Sequence, residues 1–179
     1  MKRVTAPLDA AAAGSLNAGE KVALSGYVYT ARDAAHRRFC EALGRGDGLP
    51  VDLRDQVLFY TGPSPAPPGM PVGSAGPTTS YRMDTFTPDL LRKAGLRGMI
   101  GKGDRGDEVI SAMKETGAVY FAAIGGAGAL IAGHVEEAEI VCYKDLGPEA
   151  VYRFTVRDLP LIVAIDSRGS DLYRGTRIP

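Results

Sequence analysis

From Lys21 to Thr30 the chain alternates two residue sets, Val22, Leu24, Gly26, Val28 and Thr30 against Ala23, Ser25, Tyr27 and Tyr29. It then turns helical almost at once. The period of two predicts a strand. Over Arg32 to Leu43 the period changes, and Ala31, Ala34, Ala35, Phe39, Cys40 and Leu43 share one helical face, with Gly44 and Gly46 as the stop. A strand that feeds directly into an amphipathic helix must bury both apolar surfaces against further layers.

The same alternation continues through the middle of the chain. Gln56–Tyr60 and Gly98–Gly101 read as short strands, and Ala118–Ile124 as a buried one. Thr87-Pro88-Asp89 opens a helix that ends before Gly95, because threonine can cap and proline fits the first turn. Gly106–Thr116 is a second amphipathic helix, stopped by Gly117. Gly125–Gly128 is a turn into a short helix through Ala132. Glu139–Tyr143, Val151–Val156 and Leu161–Ile165 read as strands. Residues 1–20 are Ala-rich and polar, with a short helix over Asp9–Ala13 and Leu8 and Leu16 as anchors. Five prolines between Gly62 and Pro71 exclude regular helix and interior strand there, and predict a rigid surface loop. The expectation is a single α/β domain over residues 1–179 with a mixed sheet, its strand order left open by the pattern.

Composition removes several function classes. Lys+Arg and Asp+Glu both number 21 in 179 residues, so no basic excess points to nucleic acid. The only cysteines, Cys40 and Cys142, cannot make a four-cysteine zinc or iron–sulfur site, and read as two buried thiols in a reducing cytoplasm. No long apolar run follows Met1–Thr5, so no signal peptide is expected, and Leu159–Ile165 is too short to cross a bilayer. Gly125-Gly126-Ala127-Gly128 falls short of a dinucleotide fingerprint, because the final required position is Ile131. His36 and His134 lie far apart in sequence, and a His36–Asp33 pair reads as a local hydrogen bond rather than a catalytic dyad.

Three segments set a cation beside turn glycines or a helix start. Arg32 stands where the strand hands over to the helix, a usual binding position in α/β sheets. It can grip a carboxylate through two parallel hydrogen bonds, or simply pair with Asp33 or Glu41 on the surface. Gly76-Pro77-Thr78-Thr79-Ser80-Tyr81-Arg82-Met83-Asp84 places three hydroxyls before an arginine. Were a helix to begin at Thr78 or Thr79, its free N–H groups would face an anion, with Arg82 one turn on. The alternative is an ordinary cap and a solvated arginine. Gly101-Lys102-Gly103 lets backbone approach a ligand beside a lysine but lacks the spacing of a phosphate loop, so a plain turn lysine is the other reading.

These blocks resemble the β subunits of two-subunit class I fumarases and L-tartrate dehydratases, or the C-terminal domain of single-chain forms. The residues that carry the likeness are Ser25-Gly26 through His36, Gly76 through Asp84, Met99 through Gly103 and Gly125 through Leu130, within a stretch from Lys21 to Leu172. The resemblance implies a swivelling β/β/α domain. It implies a cytoplasmic hetero-oligomer with an α subunit whose three cysteines hold a [4Fe–4S] cluster that this chain does not ligate. It places substrate-binding cations at Arg32, Arg82 and Lys102 and a catalytic threonine at Thr78, with Thr79, Gly76 and Gly101 in support and no metal ligand. The choice of Thr78 over Thr79 rests on family register alone. Reversible hydration of fumarate to L-malate is the leading expectation, with dehydration of L-tartrate second and a non-catalytic anion-binding domain third.

Overall fold

The computed structural model describes residues 1–123 and 127–175. Seven strands and five short helices succeed one another: β1 (Lys2–Ala6), α1 (Ala10–Gly14), β2 (Lys21–Thr30), α2 (Asp33–Arg45), β3 (Val57–Phe59), α3 (Thr87–Ala94), β4 (Gly98–Gly101), α4 (Asp107–Thr116), β5 (Val119–Ala122), α5 (Gly128–Ala132), β6 (Val135–Cys142) and β7 (Val151–Ile165). Strands β2, β3, β4 and β5 run parallel, in that order. The long β7 pairs antiparallel with both β5 and β2 and so closes a five-stranded ring. β1 adds in parallel to β2, and β6 adds antiparallel to β7. The sheet is mixed and the fold α/β, as expected.

Alternation along the short strands sorts side chains into two cores. Val57, Phe59, Ile100, Val119 and Phe121 belong to the cluster enclosed by the strands, with Val22, Leu24, Val28, Phe154 and Val163. The residues between them, Leu58, Met99 and Tyr120, face the other way and pack with Phe39, Leu90, Leu91, Val109 and Met113 of α2, α3 and α4. Fully burying such a side chain contributes roughly 1.5–3 kcal/mol. Helices of 8 to 13 residues are marginal alone, so packing rather than propensity holds this layer. Left-handed glycines at 46, 95 and 117 end the three helices.

Several boundaries differ from the sequence reading, each for a local reason. β1 was not foreseen: only Val4 and Ala6 of its five residues are buried, too short an alternation to register. Gly44 lies inside α2 and only Gly46 caps it. Val151–Val156 and Leu161–Ile165 form one strand, because its pairing with β2 continues past Asp158 (φ 48°) through Pro160, opposite Ala23. β6 starts four residues before the expected Glu139. The proposed threonine cap of α3 is instead its first residue, and Phe86 occupies the cap position. Ile124, assigned to a strand, and Gly125-Gly126, assigned to a turn, lie outside the described residues. Among the described residues, no helix is long and apolar enough to cross a membrane.

Gly26 sits at the register shift in the β2–β7 pairing with φ 103°. A Cβ there would lie 2.2 Å from the Ala6 carbonyl oxygen. Gly26→Ala therefore forces β1 away from β2 as well as straining the backbone. It is expected to lower the unfolding free energy by at least about 2 kcal/mol, read from denaturant midpoints.

Candidate functional site

Because β2 to β5 are parallel, their carboxyl ends emerge at one rim, and the motif segments are the connections that leave it. Arg32 follows β2, the Gly76–Asp84 run lies in the β3–α3 connection, and Lys102 follows β4. Tyr60 receives the Thr78 amide on its carbonyl at 2.7 Å and gives its own amide to Ile100, which ties the β3 exit to the threonine segment and to β4. Thr79 and Lys102 form a parallel bridge, and the Ser80 amide donates to the Lys102 carbonyl at 2.9 Å. Gly76 is exposed and stacks close to α5, where Ala75 donates its amide to Gly128 at 3.0 Å.

No α-helix begins at Thr78 or Thr79. Ser80–Met83 is a single 3₁₀ turn, and Thr79 at its start makes no side-chain cap. The helix-terminus anion site considered from sequence is thus replaced by a different geometry, in which strand-like pairing with Lys102 displays the threonines. Neither threonine hydroxyl is hydrogen-bonded among the described residues.

The two arginines converge on Asp33. Arg82 Nε donates to Asp33 Oδ1 at 3.1 Å, and Arg32 Nε lies 4.0 Å from Asp33 Oδ2. Glu149 Oε1, on the turn before β7, is 3.4 Å from Arg32 Nε, so the pairing with Glu41 weighed from sequence does not occur. Arg32 Nε and Asp33 Oδ2 are buried atoms without a hydrogen-bond partner. An unpaired buried guanidinium donor is costly, and an arriving carboxylate would satisfy it. Lys102 is exposed and makes no salt bridge among the described residues. Arg32, Thr78 and Thr79 are half-buried and Arg82 is exposed.

Beneath the rim lies a polar network that the sequence did not announce. Arg105 is buried and its Nε donates to Asp84 at 2.7 Å, while another of its nitrogens donates to Thr87 Oγ1 at 2.8 Å. The second Asp84 oxygen accepts the Gly106 amide at 2.7 Å. The guanidinium carbon stands 5.3 Å and 5.1 Å from the ring centres of Tyr60 and Tyr120. Burial opposes the Arg105 charge, but Tyr60, Asp84 and Tyr120 outweigh it and raise its pKa. Nothing in Gly103-Asp104-Arg105-Gly106 separates this arginine from an exposed turn residue, so no sequence signal could have found it.

His36 does not pair with Asp33. Its Nδ1 contacts the Arg32 carbonyl at 2.8 Å, which makes Nδ1 the protonated nitrogen of a neutral ring, and its Nε2 is buried without a partner. The ring packs edge-on against Tyr60 at 5.2 Å. Cys40 and Cys142 are free thiols, part-buried rather than fully so, and burial pushes both up to about 11. Among the described residues, no group of three or more His, Cys, Asp or Glu side chains converges to hold a metal. The donor set here does not fit an iron–sulfur cluster, whose ligands would have to come from elsewhere.

A closed barrel whose rim gathers two arginines, a lysine and two unpaired threonine hydroxyls defines an α/β domain suited to small anions. Comparison with known proteins gives the family. Residues 3–176 match the family model described as Fumarase C-terminus. The aerobic class I fumarate hydratase of Salmonella typhimurium is 37% identical over 155 residues, covering 86% of this chain and 27% of that protein. Fumarate hydratase 1, mitochondrial, of Leishmania major is 37% identical over 154 residues, covering 86% and 28%. A Methanocaldococcus jannaschii protein with the provisional name L(+)-tartrate dehydratase subunit beta is 37% identical over 163 residues, covering 88% and 84%. The chain belongs to the fumarase C-terminus family. It spans little more than a quarter of the fumarate hydratases it matches, but most of the tartrate dehydratase subunit.

Burial depresses the His36 pKa from 6.5 to about 4. An unfolded chain takes up this proton first as pH falls, so the stability is intact above 6.5 and is lost on the way down through about 4. The expected loss through this group is about 3 kcal/mol. His36→Asn, which retains a donor but does not titrate, should show a correspondingly flatter stability profile between pH 7 and pH 4 in denaturant unfolding.

Proposed function

We propose that this chain is the β subunit of a hydro-lyase, supplying carboxylate-binding and proton-transfer residues to a site shared with an α subunit, with fumarate and L-malate as the leading substrate pair. The observation that carries this reading is the meeting of the motif segments at one rim, with Arg32 and Arg82 already around a carboxylate, that of Asp33. One substrate carboxylate takes the place of Asp33 between the arginines, or of Glu149 beside Arg32. The other reaches Lys102 across the Thr79 bridge. Holding both ends fixes the substrate and removes much of the entropic barrier.

The hydrogen removed in dehydration lies on the carbon beside a carboxylate, and negative charge builds there as it leaves. The rim cations stabilise that charge. Thr78, with its amide fixed on Tyr60 and its hydroxyl unpaired, takes the proton at Oγ1, and the cations favour its alkoxide. A [4Fe–4S] cluster with an open iron, held by the α subunit, would supply Lewis acidity at the substrate hydroxyl.

L-tartrate dehydration is the second reading. One match covers most of both chains, that to a protein named as a tartrate dehydratase subunit beta, and it also supports a separate α subunit. Tartrate and malate differ by one hydroxyl, which no residue of this rim evidently reads.

Anaerobic turnover of the chain coexpressed with a cluster-bearing α subunit, on fumarate, L-malate and L-tartrate, tests the reading. Activity should require both chains. Arg82→Ala should raise KM for the dicarboxylate about tenfold to a hundredfold, the worth of one charge-assisted hydrogen bond. Thr78→Ala should lower kcat about a hundredfold or more while the complex still forms. Normal turnover by Thr78→Ala would remove its role, and activity of this chain alone would refute a shared site. Binding of dicarboxylates by a stable chain that never takes up a partner would leave a non-catalytic anion-binding domain.

A further inference from the structure

We propose that Tyr120 is a positioning residue, which pins the threonine and lysine loops to each other from below through one phenol hydroxyl. The inference rests on the functional reading above for its effect on turnover, but not for its effect on the loops. Tyr120 stands on β5, and its side chain points into the helix-side core. Its hydroxyl donates to the Gly103 carbonyl at 2.9 Å. A phenol has one hydrogen to give, so at the second contact, 2.9 Å from Ser80 Oγ, the serine is the donor. The phenol therefore joins the residue after Lys102 to the residue after Thr79.

The absence of a side chain at Gly101 makes room for Ser80. A Cβ at position 101 would lie 1.9 Å from Ser80 Oγ, so the serine hydroxyl occupies the space that a side chain on β4 would fill. The Ser80 amide is held by the Lys102 carbonyl. Ser80 is thus fixed at its backbone by one loop and at its side chain by Tyr120, and both contacts set the spacing of Thr78 and Thr79 from Lys102. Burial raises the Tyr120 pKa, so the phenol keeps its proton through the neutral range. Arg105, beside the same ring, holds Asp84 and Thr87 and fixes the far end of the Ser80–Met83 turn.

Tyr120→Phe removes only the hydroxyl. It leaves Ser80 Oγ without its acceptor and the Gly103 carbonyl without its donor, while ring and core remain. Amide hydrogen exchange of the full chain should quicken about tenfold or more at residues 78–83 and 102–104, with β1 and α2 unchanged. Unchanged exchange, or an even rise along the chain, would overturn the pin. In the reconstituted complex, Tyr120→Phe should raise the dicarboxylate KM several-fold through Lys102 and lower kcat about tenfold through Thr78. Ser80→Ala should do the same, and the double variant should be no worse than either single one, as for two parts of one unit. A lower thermal midpoint with KM and kcat unaltered would reduce Tyr120 to a structural role. Should the wild-type complex turn over no dicarboxylate, the functional reading fails and the exchange map alone decides the pin.

Discussion

Closure of the ring by β7 is the constraint on which the rest depends. Four parallel strands of three to ten residues would form an open sheet with two unpaired edges. β7 lies antiparallel across both, pairing Lys21–Tyr29 of β2 along most of its length and Tyr120–Ala122 of β5 near its end. A closed ring cannot let one strand slide without disturbing every register. The carboxyl ends of β2, β3, β4 and β5 are therefore fixed with respect to one another, and so are the loops that leave them. The turn that carries Glu149 leads into β7, which explains how a residue distant in sequence reaches Arg32.

Under the rim, polar groups occupy positions where apolar ones would have served stability equally well. A buried ion pair such as Arg105–Asp84 adds little net stability, because desolvation offsets the attraction. Its consequence is positional. Arg105 reaches Asp84, Thr87 and the two tyrosine rings, and Asp84 also accepts the Gly106 amide, so a shift of the Ser80–Met83 turn leaves a buried charge unmatched. Electrostatically the pair is nearly neutral. The field at the rim is therefore set by Arg32, Arg82 and Lys102 together with the carboxylates of Asp33 and Glu149, rather than by the buried arginine.

What was legible in the sequence follows from the range of each signal. Strands and helices with a residue periodicity sustained over several positions, such as β2 and α4, were readable. β1 was not, with two buried positions, and Pro160 made one continuous strand look like two. The Thr78–Arg82 run was legible as a unit but not in shape, because strand pairing between Thr79 and Lys102 is a tertiary contact that overrides a local capping preference. Grouping of the motifs was legible only through resemblance, since residues from 32 to 102 meet by topology. Arg105 and Tyr120 carried no signal, since the partners that matter here, Thr87, Gly103 and Ser80, lie 17 or more residues away in sequence. The structure also shows why Gly101 is small: Ser80 fills its side-chain space.

The exposure of the rim bears on what must accompany it. Arg82 is 46% exposed and Arg32 30%, and both already face carboxylates of the chain itself. Two unit charges 4 Å apart attract by about 1 kcal/mol in water and about 4 kcal/mol at an effective dielectric near 20. On an open rim, then, a dicarboxylate gains little by exchanging with Asp33 and Glu149. The exchange becomes favourable only if water is excluded, and Lys102 and Arg82 are exposed on this rim. A covering surface would also have to bring the remaining chemistry, since the cations here can hold and orient but cannot activate a hydroxyl for departure. The weakness of its exposed charges thus supports the proposal that the domain is one wall of a shared site.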